Sequence, residues 1–223
     1  MSVYERLLAY RDEEYREFQS KLVPNIGKNT IIGVRTPDMR RIAKELNGTA
    51  EAEEFLADLP HKYYEENLVH FFIIAEIKDF ESCAAAVERF LPYVDCWPVC
   101  DQSSPKAFSK NRAKLLPLIK KWMRSGHVYT VRFGIRMLMN EFLGEDFRPE
   151  YLEWVANVKN EDYYVEMMVA WYFATALAKR YDESVVYIEN RRLSPQTHRK
   201  AIQKAAESSR VSEEHKEYLK SFR

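Results

Sequence analysis

The chain has 223 residues, 46% hydrophobic and 30% charged, with 34 Lys and Arg balanced by 34 Asp and Glu. Six glycines and nine prolines are too few for a turn-rich β-sandwich or a disordered tail, and no apolar run approaches the roughly 18 residues that span a bilayer. Three cysteines, an odd number, argue against a disulfide framework. Ser2-Val3-Tyr4-Glu5-Arg6 runs straight into an amphipathic pattern rather than a signal peptide, so the expectation is a soluble, cytoplasmic protein with free thiols and no membrane partner.

Helical periodicity dominates from the start. Val3, Leu7, Leu8, Tyr10, Tyr15, Phe18 and Leu22 predict one helix over residues 2–23, followed by a loop over 24–35. Thr36-Pro37 supplies an N-cap with proline at the first helical position, and the helix it opens stops at Asn47-Gly48. A short helix is expected over 50–59. Beyond it the pattern repeats, with helix starts near His61, Asp95, His127, Glu161 and Ser194, at spacings of 34, 32, 34 and 33 residues. Second helices are expected over 80–93, 115–124, 150–158 and 183–190. Two helices per unit at a nearly fixed period point to an α-α solenoid. The expected fold is all-α, a HEAT- or armadillo-like superhelix of about six helical pairs forming a single domain over 1–223. An irregular helical bundle is the alternative. In a solenoid the first helices of successive units lie side by side, about 10 Å apart, so residues early in them line one face.

The balanced charge hides a segregation. Residues 51–101 hold twelve acids and three bases, whereas 102–140 hold nine bases and no acid: Lys106, Lys110, Arg112, Lys114, Lys120, Lys121, Arg124, Arg132 and Arg136. Such a block makes a positive surface that attracts phosphate, unless neighbouring acids neutralise it.

Few motifs carry chemistry. There is no HExxH, no GxGxxG and no P-loop, so neither a metal nor a nucleotide cofactor is expected. Cys96 and Cys100 are four apart, but zinc needs two further ligands, and buried thiols fit better. Trp97 and Asp101 are also four apart and share a helix face, a flat apolar wall beside a carboxylate suited to a cationic ring or a developing positive charge. The structural alternative has Asp95 capping the helix, Trp97 in the core and Asp101 as a surface acid. On the helix after His127, Val128, Val131, Ile135, Leu138, Met139 and Phe142 form an apolar stripe. Arg132 lies about 20° beyond its edge, with Arg136 further out, placed for phosphate or for an internal ion pair. Trp171 lies on a helix apolar almost all round, where core packing is the simpler reading. Taken together, Trp97, Asp101, Arg132 and Trp171 fall in the first helices of three consecutive units and can converge on one face, with the basic stretch around them. That combination suits a nucleic-acid substrate with a reacting sugar or base.

On these residues the sequence resembles the DNA alkylation repair (AlkD-like) glycosylase family of HEAT-like repeat proteins, over nearly the whole chain. Gly33-Val34-Arg35-Thr36-Pro37-Asp38-Met39-Arg40 looks like that family's G-[IV]-x-T-P-x-x-R segment, and Trp97-Pro98-Val99-Cys100-Asp101 like its W-x-x-x-D site. Arg132 and Trp171 match its phosphate-contacting Arg and second Trp. The resemblance implies excision of positively charged N3- and N7-alkylated purines from double-stranded DNA with no cofactor. It gives Asp101 the sugar's developing charge, Trp97 and Trp171 the deoxyribose and backbone, and Arg132 a phosphate. Arg136, Lys106, Lys110 and Arg112 are the expected further DNA contacts. A non-catalytic DNA-binding protein and a protein-interaction scaffold are the competing readings.

Overall fold

The computed structural model describes residues 1–223 and contains fifteen α-helices and no β-strand. The all-α expectation therefore holds. None of the helices is long and apolar enough to cross a membrane. The chain divides into two compact units, Met1–Asn111 and Arg112–Arg223.

The first unit corrects the expected helix over 2–23, which is two helices, α1 (Val3–Leu8) and α2 (Glu13–Leu22). Asp12 makes the break. Its backbone is extended, its carboxylate accepts the Tyr15 N–H at 2.9 Å, and its own N–H donates to the Gly33 carbonyl at 2.9 Å. Apolar spacing carries across such a break, so periodicity reads through it, whereas the capping aspartate sets it. Next, α3 (Thr36–Leu46) starts one residue before the sequence suggests. Arg35 is the N-cap and Thr36 is already helical.

The remaining helices of this unit are α4 (Ala50–Ala57), α5 (Tyr64–Ala75), α6 (Phe80–Phe90), α7 (Trp97–Asp101) and α8 (Lys106–Ser109). Helix α5 is the hub, with α1, α3, α4, α6 and α7 packed around it. Every residue of α5 except Glu66 is buried, which explains its nearly continuous apolar run. Burying side chains such as Phe71, Phe72 and Ile74 stabilises the unit by about 1.5–3 kcal/mol each.

Two polar features are built into this core. The Glu65 carboxylate accepts the backbone N–H groups of Ile32 (2.9 Å), Gly33 (2.7 Å) and Val34 (3.3 Å). Burial pushes its carboxyl above the usual range, against the three N–H groups that pull it down. Gly33, at φ +95°, sits where a Cβ would come within 2.4 Å of the Asp12 carbonyl oxygen, so only glycine fits. The second feature is a histidine pair. His61 Nε2 and His70 Nδ1 are 2.8 Å apart, with His61 stacked on Phe55 and His70 on Phe90. Burial lowers His61 to about 4, and burial together with the neighbouring His61 lowers His70 to about 2.

The second unit comprises α9 (Arg112–Trp122), α10 (Val128–Phe142), α11 (Glu150–Ala156), α12 (Tyr163–Lys179), α13 (Tyr181–Glu189), α14 (Pro195–Glu207) and α15 (Glu213–Lys220). Helix α12 packs between α10 and α14, so the three form a row, while α9 lies on α10 and α11 and α13 lie on α12. Gly134 allows α9 and α10 to approach closely, since a Cβ there would meet Met123 N and Trp122 Cβ at 3.1 Å. Helices α5, α7, α10, α12 and α14 start within three residues of the periodic positions expected from the sequence.

Candidate active site and nucleic-acid interface

The first unit holds Trp97 and Asp101 at the two ends of α7. This five-residue helix has Cys96 as its N-cap and Pro98 in its first turn. Cys96 makes no side-chain cap bond, and Asp95 is exposed and lies before the cap, so Asp95 is not the capping residue. Trp97 is half-buried rather than a core residue, and its Nε1 donates to the Leu22 carbonyl at 3.1 Å. Asp101 is half-buried at the other end.

The following residue, Gln102, is clamped by the start of α3. The Thr36 hydroxyl donates to its side-chain oxygen at 3.1 Å, and Arg40 Nη2 donates to its carbonyl at 2.6 Å. Arg40 is itself seated over the Phe72 ring, 4.1 Å from the centroid. The Gly33–Arg41 segment thus has a structural role that its sequence did not disclose. Glu65 gathers the extended backbone at its start, and Thr36 and Arg40 hold the end of α7. Nothing in sequence spacing signals Gln102, because the ties to it come from residues more than sixty positions away.

Cys96, just before Trp97, and Cys100, just before Asp101, are both fully buried, and neither they nor Cys83 forms a disulfide. Burial pushes the Cys96 thiol well above its ordinary value and that of Cys83 up to about 12.

The second unit holds Arg132, Arg136 and Trp171. Arg132 and Arg136 are only 6% and 8% exposed, deeper than the stripe-edge position expected for them. The stripe is wider than the sequence shows because α10 is covered by both α9 and α12. Arg132 Nη1 donates to the Tyr164 carbonyl at 2.7 Å, which fixes the plane of the guanidinium. Trp171 is 40% exposed, so the simpler core reading of this residue fails. It belongs to the less buried stripe of α12, with Met167, Thr175 and Ala178. It lines a hollow of about 280 Å³ with Lys204 and Arg210.

The basic stretch is partly neutralised. Lys106 donates to both carboxylate oxygens of Glu76 at 2.9 Å, and Arg112 pairs with Asp146 at 3.1 Å and Glu141 at 3.5 Å. Exposed pairs of this kind hold by only about 0–1 kcal/mol, so a phosphate competes for the same cations. Lys110 is exposed on the residue after α8.

A comparison with curated proteins finds no match. The family model described as DNA alkylation repair enzyme matches residues 3–205, nearly the whole chain, and with α7 and the Gly33 segment both inside that span the chain belongs to the DNA alkylation repair enzyme family.

Proposed function

We propose that the protein is a DNA glycosylase that excises positively charged N3- and N7-alkylated purines from duplex DNA. The family places it in DNA alkylation repair, and the observation that carries the finer reading is the clamped α7. Trp97 is tied to Leu22 at one end, and the residue after Asp101 is tied to Thr36 and Arg40 at the other. A carboxylate held in place before the reaction needs no reorganisation when charge develops beside it, which is the condition for electrostatic catalysis.

The chemistry asked of the site is modest. An alkylated purine already carries a positive charge. When its N-glycosidic bond breaks, the bonding electrons leave with the base and neutralise it. C1′ of the sugar takes on oxocarbenium character, and Asp101 stabilises that charge. Water then adds to C1′ and gives its proton to the carboxylate or to solvent. In this reading Trp97 packs on the deoxyribose, Trp171 on the backbone, and Arg132 holds a phosphate. Arg136, Lys106, Lys110 and Arg112 add backbone attraction. The paired helices are read as HEAT-like repeats along the whole chain, 1–223, a view supported by the row formed by α10, α12 and α14.

The test is release of free 7-methylguanine from a methylated duplex by the purified protein. If the protein binds that duplex in a salt-dependent way and releases no base, the non-catalytic reading replaces this one.

A further inference from the structure

A second cavity in the Arg112–Arg223 unit, of about 490 Å³, involves none of the residues assigned above to the reaction or to DNA contacts. Its size falls within the roughly 300–1,000 Å³ typical of small-molecule sites. Met123 and Val131, both buried, form an apolar floor, and Trp154 of α11 stands beside them. Three cations line the cavity: Lys120 near the end of α9, Arg124 just after it, and Lys159 between α11 and α12. Lys120 is seated over the Trp154 ring, its Nζ 3.9 Å from the centroid.

The charge balance of this cavity is lopsided. None of the three cations has a carboxylate partner within salt-bridge distance. The one acid lining the cavity, Glu153, is already engaged by donors. Its Oε1 accepts from Asn157 Nδ2 at 2.6 Å and from Arg192 Nη2 at 2.8 Å, and its Oε2 accepts from the Tyr187 hydroxyl at 3.0 Å. Arg192 cancels the charge of Glu153, so the cavity keeps the field of three uncompensated cations in a partly apolar setting. Like charges gathered this way repel one another, and an anion relieves them.

The walls narrow the class of anion. Bare phosphate leaves the apolar floor and the indole unused. An uncharged ring leaves the cations unpaired. An alkylated purine still carrying its positive charge is repelled. A ligand that joins a flat apolar ring to a phosphate meets every part of the cavity. We propose that this cavity binds a single nucleotide, its phosphate toward Arg124 and Lys159 and its base against Met123, Val131 and Trp154. Two sources supply the same chemistry, a free mononucleotide or a nucleotide turned out of a DNA strand. The proposal does not depend on base excision, because its test reads binding alone.

The experiment is calorimetric titration of the full chain, at low salt, with deoxyguanosine monophosphate, deoxyguanosine and inorganic phosphate. The mononucleotide should bind with a dissociation constant below about 1 mM, and each fragment should bind at least about tenfold more weakly. Arg124→Gln combined with Lys159→Gln should weaken the mononucleotide at least about tenfold, with the helical circular dichroism and the melting temperature unchanged. Trp154→Leu should weaken it too, while Lys220→Gln, outside the cavity, should not. Competition then identifies the source. A duplex with one unpaired, extrahelical nucleotide displaces the mononucleotide if strands supply it, and does not if only the free form binds. The inference is overturned by any of three results: no mononucleotide binding at about 5 mM, phosphate binding as tightly as the mononucleotide, or a fully paired duplex competing as well as the bulged one.

Discussion

Asp101→Asn separates catalysis from binding more cleanly than any other change, because it removes a charge and keeps the shape. A unit charge about 4 Å from a carboxylate gains roughly 1 kcal/mol in bulk water and about 4 kcal/mol at the effective dielectric near a protein surface. Asp101 is half-buried, so the loss falls between these limits, centred at about 2.5 kcal/mol. That corresponds to a rate lowered about 10²-fold, the scale seen when one electrostatic stabiliser is removed. The assay is single-turnover release of 7-methylguanine, run beside duplex affinity and thermal melting. Affinity should be unchanged or slightly tighter, since the carboxylate helps only as charge develops and otherwise repels phosphate. Melting should also hold, because asparagine keeps the size and hydrogen-bonding capacity of the side chain at this half-buried position. Excision by Asp101→Asn within about threefold of wild type would refute the reasoning. So would a drop in excision matched by an equal drop in stability.

Trp171→Ala should cost no more than about 0.5 kcal/mol of stability, as expected at an exposed position, yet weaken duplex binding several-fold; unchanged affinity by fluorescence anisotropy would remove Trp171 from the interface. Glu65→Ala strands the N–H groups of Ile32, Gly33 and Val34 in the core. At about 1–3 kcal/mol for each unsatisfied group it should lower stability by roughly 3 kcal/mol or more, read as a fall in urea midpoint. The histidine pair sets an acid limit. His61 and His70 stay neutral in the fold down to about 4 and about 2, whereas in the unfolded chain they protonate near 6.5. The unfolded state therefore binds more protons below that pH, so stability is complete above about pH 6.5. It is lost as pH falls, by up to about 1.4 kcal/mol per unit for each histidine. A urea midpoint that stays level between about pH 7 and pH 5 contradicts this.

Several helix starts are legible because they coincide with a local signal, such as Ser194-Pro195 at α14 or Asp79 ahead of Phe80 at α6, whereas α8 and α15 lie outside the helices expected from the sequence. The first break was missed because its signal, Asp12 before two glutamates, lies inside a continuing apolar pattern. Candidate residues were legible as types and spacings, as with Trp97 and Asp101 four apart. Their environments were not. The depth of Arg132 comes from two helices covering α10, and the exposure of Trp171 comes from α10 and α14 claiming the other sides of α12. The clamp on Gln102 and the cavity around Trp154 were invisible for the same reason. Each assembles side chains from separate segments, and a one-dimensional pattern records only neighbours along one helix.

The burial of the three thiols has a consequence for a protein of this family. Alkylating agents attack the best nucleophile within reach, and in most proteins that is a cysteine thiolate. A protein that works where DNA is being alkylated meets the same electrophiles as its substrate. Here Cys96 caps, and Cys100 lies inside, the very helix that bears Trp97 and Asp101, where an added alkyl group would force α7 out of register with its clamps. Their fully buried positions, with Cys96 held firmly as the thiol, deny the electrophile both access and an anion to attack. The core that anchors the candidate catalytic helix thereby also shields it from the damage the family repairs.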